Sequence, residues 1–283
     1  MDKLFFSEEH TMLVNMVADF AKSEIEPVVR ELDNESRFPK DIITKMGDLG
    51  LMGIPVPEQY GGAGMDTVAY AAAIMELAKA DASVAITVAA HTSLGTIPLV
   101  LSGSEEQKKE YVPRLASGKM LGAFGLTEPN AGSDAGSTKT MAEKNGDNYI
   151  VNGGKIFITN AGIAGILCFT TKIIENGVNK GIGAFVVPTD IEGLTIGPPE
   201  KKMGWKASDT RQLFFENMVV SEANMIAEPT EGFKMFLKTL AVGRISVAAL
   251  AIGTAQGAYE KSLLYSKERS AFGKKIHLSL INI

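Results

Sequence analysis

Apolar residues recur at helical spacing along the first third of the chain. Leu13, Met16, Val17, Phe20, Ile25 and Val28 follow one another at near-helical intervals, and Ser7 with acidic Glu8 and Glu9 marks the start of that helix. Asp41–Leu49 predicts a shorter helix closed by Gly50, and Asp66–Ala80 an alanine-rich one. Ser104-Glu105-Glu106-Gln107 reads as a capping box opening a helix that Gly118 ends. Ala82–Leu101 is about as long as a bilayer requires. Ser83, Thr87, His91, Thr92, Ser93, Gly95 and Pro98 interrupt it, so it predicts a buried helix or helix pair and no membrane span. Between these helices, Pro57-Glu58-Gln59-Tyr60-Gly61-Gly62-Ala63-Gly64 is a turn-rich loop.

After Gly118 the period changes. Asn148–Val151 and Lys155–Thr159 predict two strands around an Asn152-Gly153 hairpin turn. Ile166–Thr171, Gly183–Val187, Gly193–Ile196 and Gln212–Val220 continue as short β-rich runs split by Gly, Pro, Asn and Asp. No helix alternates with them, which disfavours a parallel doubly wound sheet and favours an antiparallel barrel or sandwich. From Gly232 to about Ser270 a long helix is apolar on most sides, a pattern that demands partners. The expected architecture is α+β: a helical domain over 1–120, a β domain over 121–230, and an incomplete helical bundle over 231–283.

Composition narrows the function classes. With 28 basic and 33 acidic residues the net charge is −5, and a nucleic-acid partner would call for a basic face. The N-terminus turns acidic before an apolar signal core forms, which points to the cytoplasm. Cys168 is the single cysteine, and His10, His91 and His277 are far apart, so neither a disulfide nor a metal site is expected. The densest chemical signal is Gly122–Ser137, a run of small residues with the hydroxyls of Thr127 and Ser133, able to approach an anionic or planar ligand closely. No Walker A, GxGxxG or GxSxG motif is present.

The run Gly125-Leu126-Thr127-Glu128-Pro129-Asn130-Ala131-Gly132-Ser133-Asp134 resembles the flavin-loop signature of acyl-CoA dehydrogenases. Four further pieces stand in the same family order: Tyr60–Gly64, Lys155–Asn160, Lys202–Gly204 with Phe214–Asn217, and Arg269–Gly273. The resemblance covers Leu4 to about Ile276 and is nearest the short-chain, butyryl-type branch. It implies a helical domain, a β domain and a C-terminal four-helix domain, with FAD as cofactor, an acyl-CoA thioester as substrate, and α,β-dehydrogenation as the reaction. Electron-transfer flavoprotein is the implied electron acceptor, and the implied assembly is a homo-oligomer, usually a tetramer.

Carried across residue by residue, the resemblance assigns Phe124, Leu126 and Thr127 to the flavin and Ser133 to both the FAD pyrophosphate and the acyl-CoA. Phe157 stands where the family places an aromatic over the isoalloxazine, and Thr159 matches the hydroxyl facing flavin N5. Arg269 and Phe272 match residues that reach the FAD of a neighbouring subunit. Arg244 matches the arginine beside the acyl-CoA channel, and an arginine amid Ala, Val and Ile calls for a partner. Chains of this family run on well beyond residue 283 and carry the catalytic glutamate there, so the resemblance implies a truncated or frame-shifted end and no catalytic residue within this chain. A minority branch places that glutamate where Gly243 stands, Ala241 replaces an aspartate near the CoA, and His277–Ile283 departs from the family pattern. Two alternatives accompany this reading: a non-catalytic fragment that binds flavin or acyl-CoA, and a relative acting on nitroalkanes or using oxygen.

Overall fold

The computed structural model describes residues 6–278. The first residues of the N-terminal segment and the end of the divergent His277–Ile283 stretch lie outside that range.

Local chemistry sets the helix starts. Helix α1 (Glu8–Phe20) opens on Ser7, which accepts from the His10 N–H while its own N–H donates to His10 Nδ1, both at 3.2 Å. Helices α2 (Val29–Glu35) and α3 (Lys40–Asp48) follow, and Gly50, at φ 75°, takes the left-handed turn that ends α3. Asp66 caps α4 (Thr67–Ala80) and Asp81 caps α5 (Ala82–Ala90), each carboxylate accepting a backbone N–H. The apolar Ala82–Leu101 run is one continuous rod: α5, a wide π-type stretch over His91–Thr96, then α6 (Ile97–Ser102). It is buried over 78% of its most apolar window, so its apolar residues pack inside the protein. Helix α7 (Glu105–Ala116) starts on the reciprocal Ser104–Gln107 cap.

The β domain is a single mixed sheet of eight strands. Its strands are β1 (Gly122–Gly125), β2 (Met141–Asn145), β3 (Asn148–Thr159), β4 (Ile166–Glu175), β5 (Val178–Pro188), β6 (Leu194–Pro199), β7 (Thr210–Ser221) and β8 (Met225–Ala227). Neighbours run in the order β6-β7-β3-β2-β4-β5-β8, with β1 also beside β4; most pairs are antiparallel, and β4 runs parallel to both β1 and β2. These two occupy the same edge of β4 in succession, Phe124 opposite Cys168 and Ala142 opposite Ile173. The Leu126–Thr140 loop is therefore the excursion between two strands that share one edge. Phe169, Phe185 and Phe215 stack in the sheet's core, with Tyr149 tilted against Phe185.

One turn differs from expectation. Asn152-Gly153 forms no hairpin, because β3 runs straight through it, bulging against β7 between Val151 and Gly153. Gly153, at φ 140°, is where that bulge needs a glycine, and a Cβ there would meet Thr140 at 2.7 Å. The hairpin lies one strand earlier, at Gly146-Asp147, with Gly146 at φ 62° joining β2 to β3.

Helix α8 (Gly232–Glu268) packs along α4 through glycines. A Cβ on Gly253 would meet the Met75 carbonyl at 2.2 Å, and one on Gly257 the Lys79 carbonyl at 2.3 Å. Its other side leaves Leu237, Ile245, Val247, Ile252, Tyr259 and Leu264 exposed. A short hairpin of β9 (Ser270–Ala271) and β10 (Lys274–Lys275) follows, its turn made by Phe272 and Gly273, both at positive φ.

Candidate functional site

A cavity of about 160 Å³ opens where the α5–α6 rod, β1 and β3 meet, lined by Ala90, Leu94, Phe124, Leu126, Thr127, Phe157, Ile158, Thr159 and Leu240. Five of the residues assigned from the signature motifs thus share one wall. Phe124 is buried and stacks on Phe236 at 6.2 Å with the rings nearly parallel. Leu126, Thr127 and Thr159 are half-buried. Phe157 is 62% exposed and sits at φ 60°, where β3 bulges between Lys155 and Ile158. A bulky side chain held in the left-handed region and turned to solvent has a conformational cost that packing does not repay.

The hydroxyls of Thr127 and Thr159 make no hydrogen bond among the described residues. The wall therefore offers an aromatic face, apolar sides and two free hydroxyls. That set fits a planar heteroaromatic ring with polar edges, and the cavity's size suits part of a ligand more than a whole dinucleotide. A larger cleft of about 880 Å³ lies between α3, α7 and the β domain. It shares no residue with this wall and contains none of the signature motifs.

Behind the wall lies a buried ion pair. Lys155 is fully buried and its Nζ donates to Glu128 Oε1 at 2.7 Å, to the Leu126 carbonyl at 3.1 Å and to Thr138 Oγ1 at 3.2 Å. The Glu128 carboxylate also accepts from Thr138 Oγ1 and from the Lys139 and Thr140 N–H groups. Burial alone would raise the Glu128 carboxyl. The bonds from Lys155, Thr138 and the Lys139 amide outweigh it and hold the carboxyl down to about 2. This carboxylate is committed to structure and is not a free base.

His91, which the sequence offered only as a lone histidine, anchors the other side. Its Nδ1 accepts the Gly122 N–H at 3.1 Å, and Nε2 donates to the Leu115 carbonyl at 3.1 Å. The ring is therefore neutral with its proton on Nε2, and burial lowers its pKa to about 4. Next to it, Gly95 and Gly122 bring the rod against β1, for a Cβ on Gly95 would lie 2.5 Å from the Gly122 carbonyl carbon.

The remaining assigned residues lie elsewhere. Ser133 is exposed on the signature loop and does not line the cavity. Arg269 and Phe272 are exposed on the terminal hairpin, Phe272 fully so, and neither reaches this chain's own cavity. Arg244 is exposed on α8 and joins no ion pair among the described residues. The apolar residues around it in sequence, Ile245 and Val247, are themselves exposed, so solvent supplies what a buried arginine would need from a partner. Ala90, Leu94 and Leu240 were not legible as site residues, since apolar helical positions carry no chemical mark.

Comparison with known proteins decides the family. The acyl-CoA dehydrogenase N-terminal domain model matches residues 7–119, the middle domain model 123–218 and the C-terminal domain model 230–279. The chain belongs to the acyl-CoA dehydrogenase family. It is 51% identical to a probable acyl-CoA dehydrogenase of Bacillus subtilis, over 95% of this chain and 71% of that protein. Butyryl-CoA dehydrogenase from Megasphaera elsdenii superposes with a TM-score of 0.93 at 40% identity, covering 98% of this chain and 73% of that one. An acyl-CoA dehydrogenase from Bacillus anthracis, described as complexed with FAD, gives a TM-score of 0.91 at 37% identity, covering 98% of this chain and 48% of that one. Members of this family are flavin oxidoreductases acting on CH–CH bonds, and the α+β architecture agrees with theirs.

Proposed function

We propose that this chain binds FAD with the isoalloxazine ring against Phe157 and serves the α,β-dehydrogenation of short-chain acyl-CoA thioesters. The observation that carries the reading is Phe157, an exposed aromatic held at positive φ on the wall of a slot with two free threonine hydroxyls. The likeness to butyryl-CoA dehydrogenase supports the short acyl chain. Bound FAD would supply the hydride-accepting chemistry.

The chain's own residues bind and orient. Phe124 and Leu126 give the ring apolar sides, and Thr127 and Thr159 supply hydrogen bonds at its polar edges. Exposed Ser133 is available to the pyrophosphate and the acyl-CoA, and Arg244 to the acyl-CoA. Arg269 and Phe272 are exposed and line no part of this cavity, which suits contacts to the flavin of a second copy in a homo-oligomer. In this reading the enzyme works in the cytoplasm and hands electrons to an electron-transfer flavoprotein.

Among the described residues, no carboxylate lines the cavity. Glu128 is locked by Lys155, and Gly243 lies against Leu94 and Ser93 without a side chain to offer. In this reading the described residues orient flavin and thioester, and none of them is placed to remove the α proton, which favours a binding role for this polypeptide alone. The test is anaerobic addition of butyryl-CoA to the FAD-loaded protein, with its mass verified to end at Ile283. A shifted flavin spectrum without bleaching is expected. Prompt bleaching would show that an internal base exists.

A further inference from the structure

Lys155 and Glu128 touch both lips of the slot without entering it. Glu128 directly follows Leu126-Thr127, and Lys155 Nζ bonds the Leu126 carbonyl as well as the Glu128 carboxylate. On the other lip, Lys155 lies two residues before Phe157, and the intervening Ile156 N–H donates to the Thr127 carbonyl at 2.8 Å. Every Nζ donor has an acceptor, and the carboxylate gathers donors from the far end of the same loop at Thr138, Lys139 and Thr140. One pair thus joins three segments: the start of the loop, its end, and the bulged stretch of β3.

Stability alone does not account for such a pair. A buried ion pair returns little net stability compared with apolar side chains of similar volume, because desolvation offsets the attraction. What it confers here is geometry. Apolar replacements would fill the space, but they would not fix the Leu126 carbonyl and the bulge at one separation.

We propose that Glu128 and Lys155 are positioning residues for the flavin, setting the separation between the Leu126–Thr127 lip and the Phe157–Thr159 lip through the main chain. This rests on the FAD reading above. The pair does not line the cavity and would act only through the residues that do.

The test compares the full chain with the Glu128→Gln single variant and the Glu128→Gln/Lys155→Met double variant. The double variant leaves no unpaired buried charge, so its thermal midpoint should stay near that of the unaltered chain. Each is titrated with FAD, and the visible circular dichroism of the bound flavin is recorded. Both variants should bind FAD about tenfold more weakly, with an altered dichroism band. Variants that fold, bind FAD as the unaltered chain does and show the same band would overturn the proposal. A double variant that does not fold would also overturn it, by making the pair structural. If the unaltered chain takes up no FAD, the flavin reading itself falls and this inference falls with it.

Discussion

In the proposed reading Phe157 couples conformation to binding at a single position. Its left-handed φ costs about 1 kcal/mol or more, and its exposed ring recovers little of that within the chain. In Phe157→Gly the relief of strain and the added freedom of the unfolded chain roughly cancel. Thermal stability should then change by less than about 1 kcal/mol, while FAD binding weakens by about tenfold through loss of an aromatic contact. Parallel melting and titration measurements check both halves. His91 makes a second prediction. Burial lowers its folded pKa to about 4 from an ordinary 6.5, so the unfolded chain takes up the proton first on acidification. Its contribution is whole above about pH 6.5 and is lost as pH falls towards 4, costing about 2 kcal/mol by pH 5. Urea unfolding at pH 7 and pH 5 should show that loss, and His91→Gln should remove most of the pH dependence. Phe157 and Thr159 were legible because the signature motifs carry them. His91 was not, since its role depends on a β1 amide and a helix end that only the fold brings together.

At the scale of elements, capping chemistry and period gave the helix positions well. Ser7, Asp66 and Ser104 each cap a helix at the predicted place. The β domain was less legible, because Asn-Gly has two uses. At Asn152-Gly153 it serves a bulge within β3, and the true turn at Gly146-Asp147 was hidden by the short polar strand before it. The break of the α5–α6 rod into a π-type stretch at His91 was also invisible, since no proline or glycine pair precedes it. That stretch meets β1 through Gly95 and Gly122, where no Cβ fits. Gly95→Ala should force the rod from the sheet and cost about 1–3 kcal/mol by overpacking, read as a lower thermal midpoint. Because Leu94 lines the cavity beside it, FAD affinity should fall as well.

For the whole molecule, three domain models in order and a close superposition on butyryl-CoA dehydrogenase establish the family. The sequence anticipated that architecture, from helical to β to helical texture. It did not show which parts of the long helix are bare. Helix α8 buries its glycine side on α4 and leaves a row of large apolar residues uncovered. The proposed flavin slot is lined by residues of β1, β3, the α5–α6 rod and α8. That this wall holds the flavin ring is the central claim, and titration of the purified chain with FAD, followed by quenching of flavin fluorescence, tests it most directly. The account predicts saturable binding at one site per chain, weakened by Phe157→Gly. Linear, unsaturable quenching, or saturable binding that Phe157→Gly leaves untouched, would contradict it.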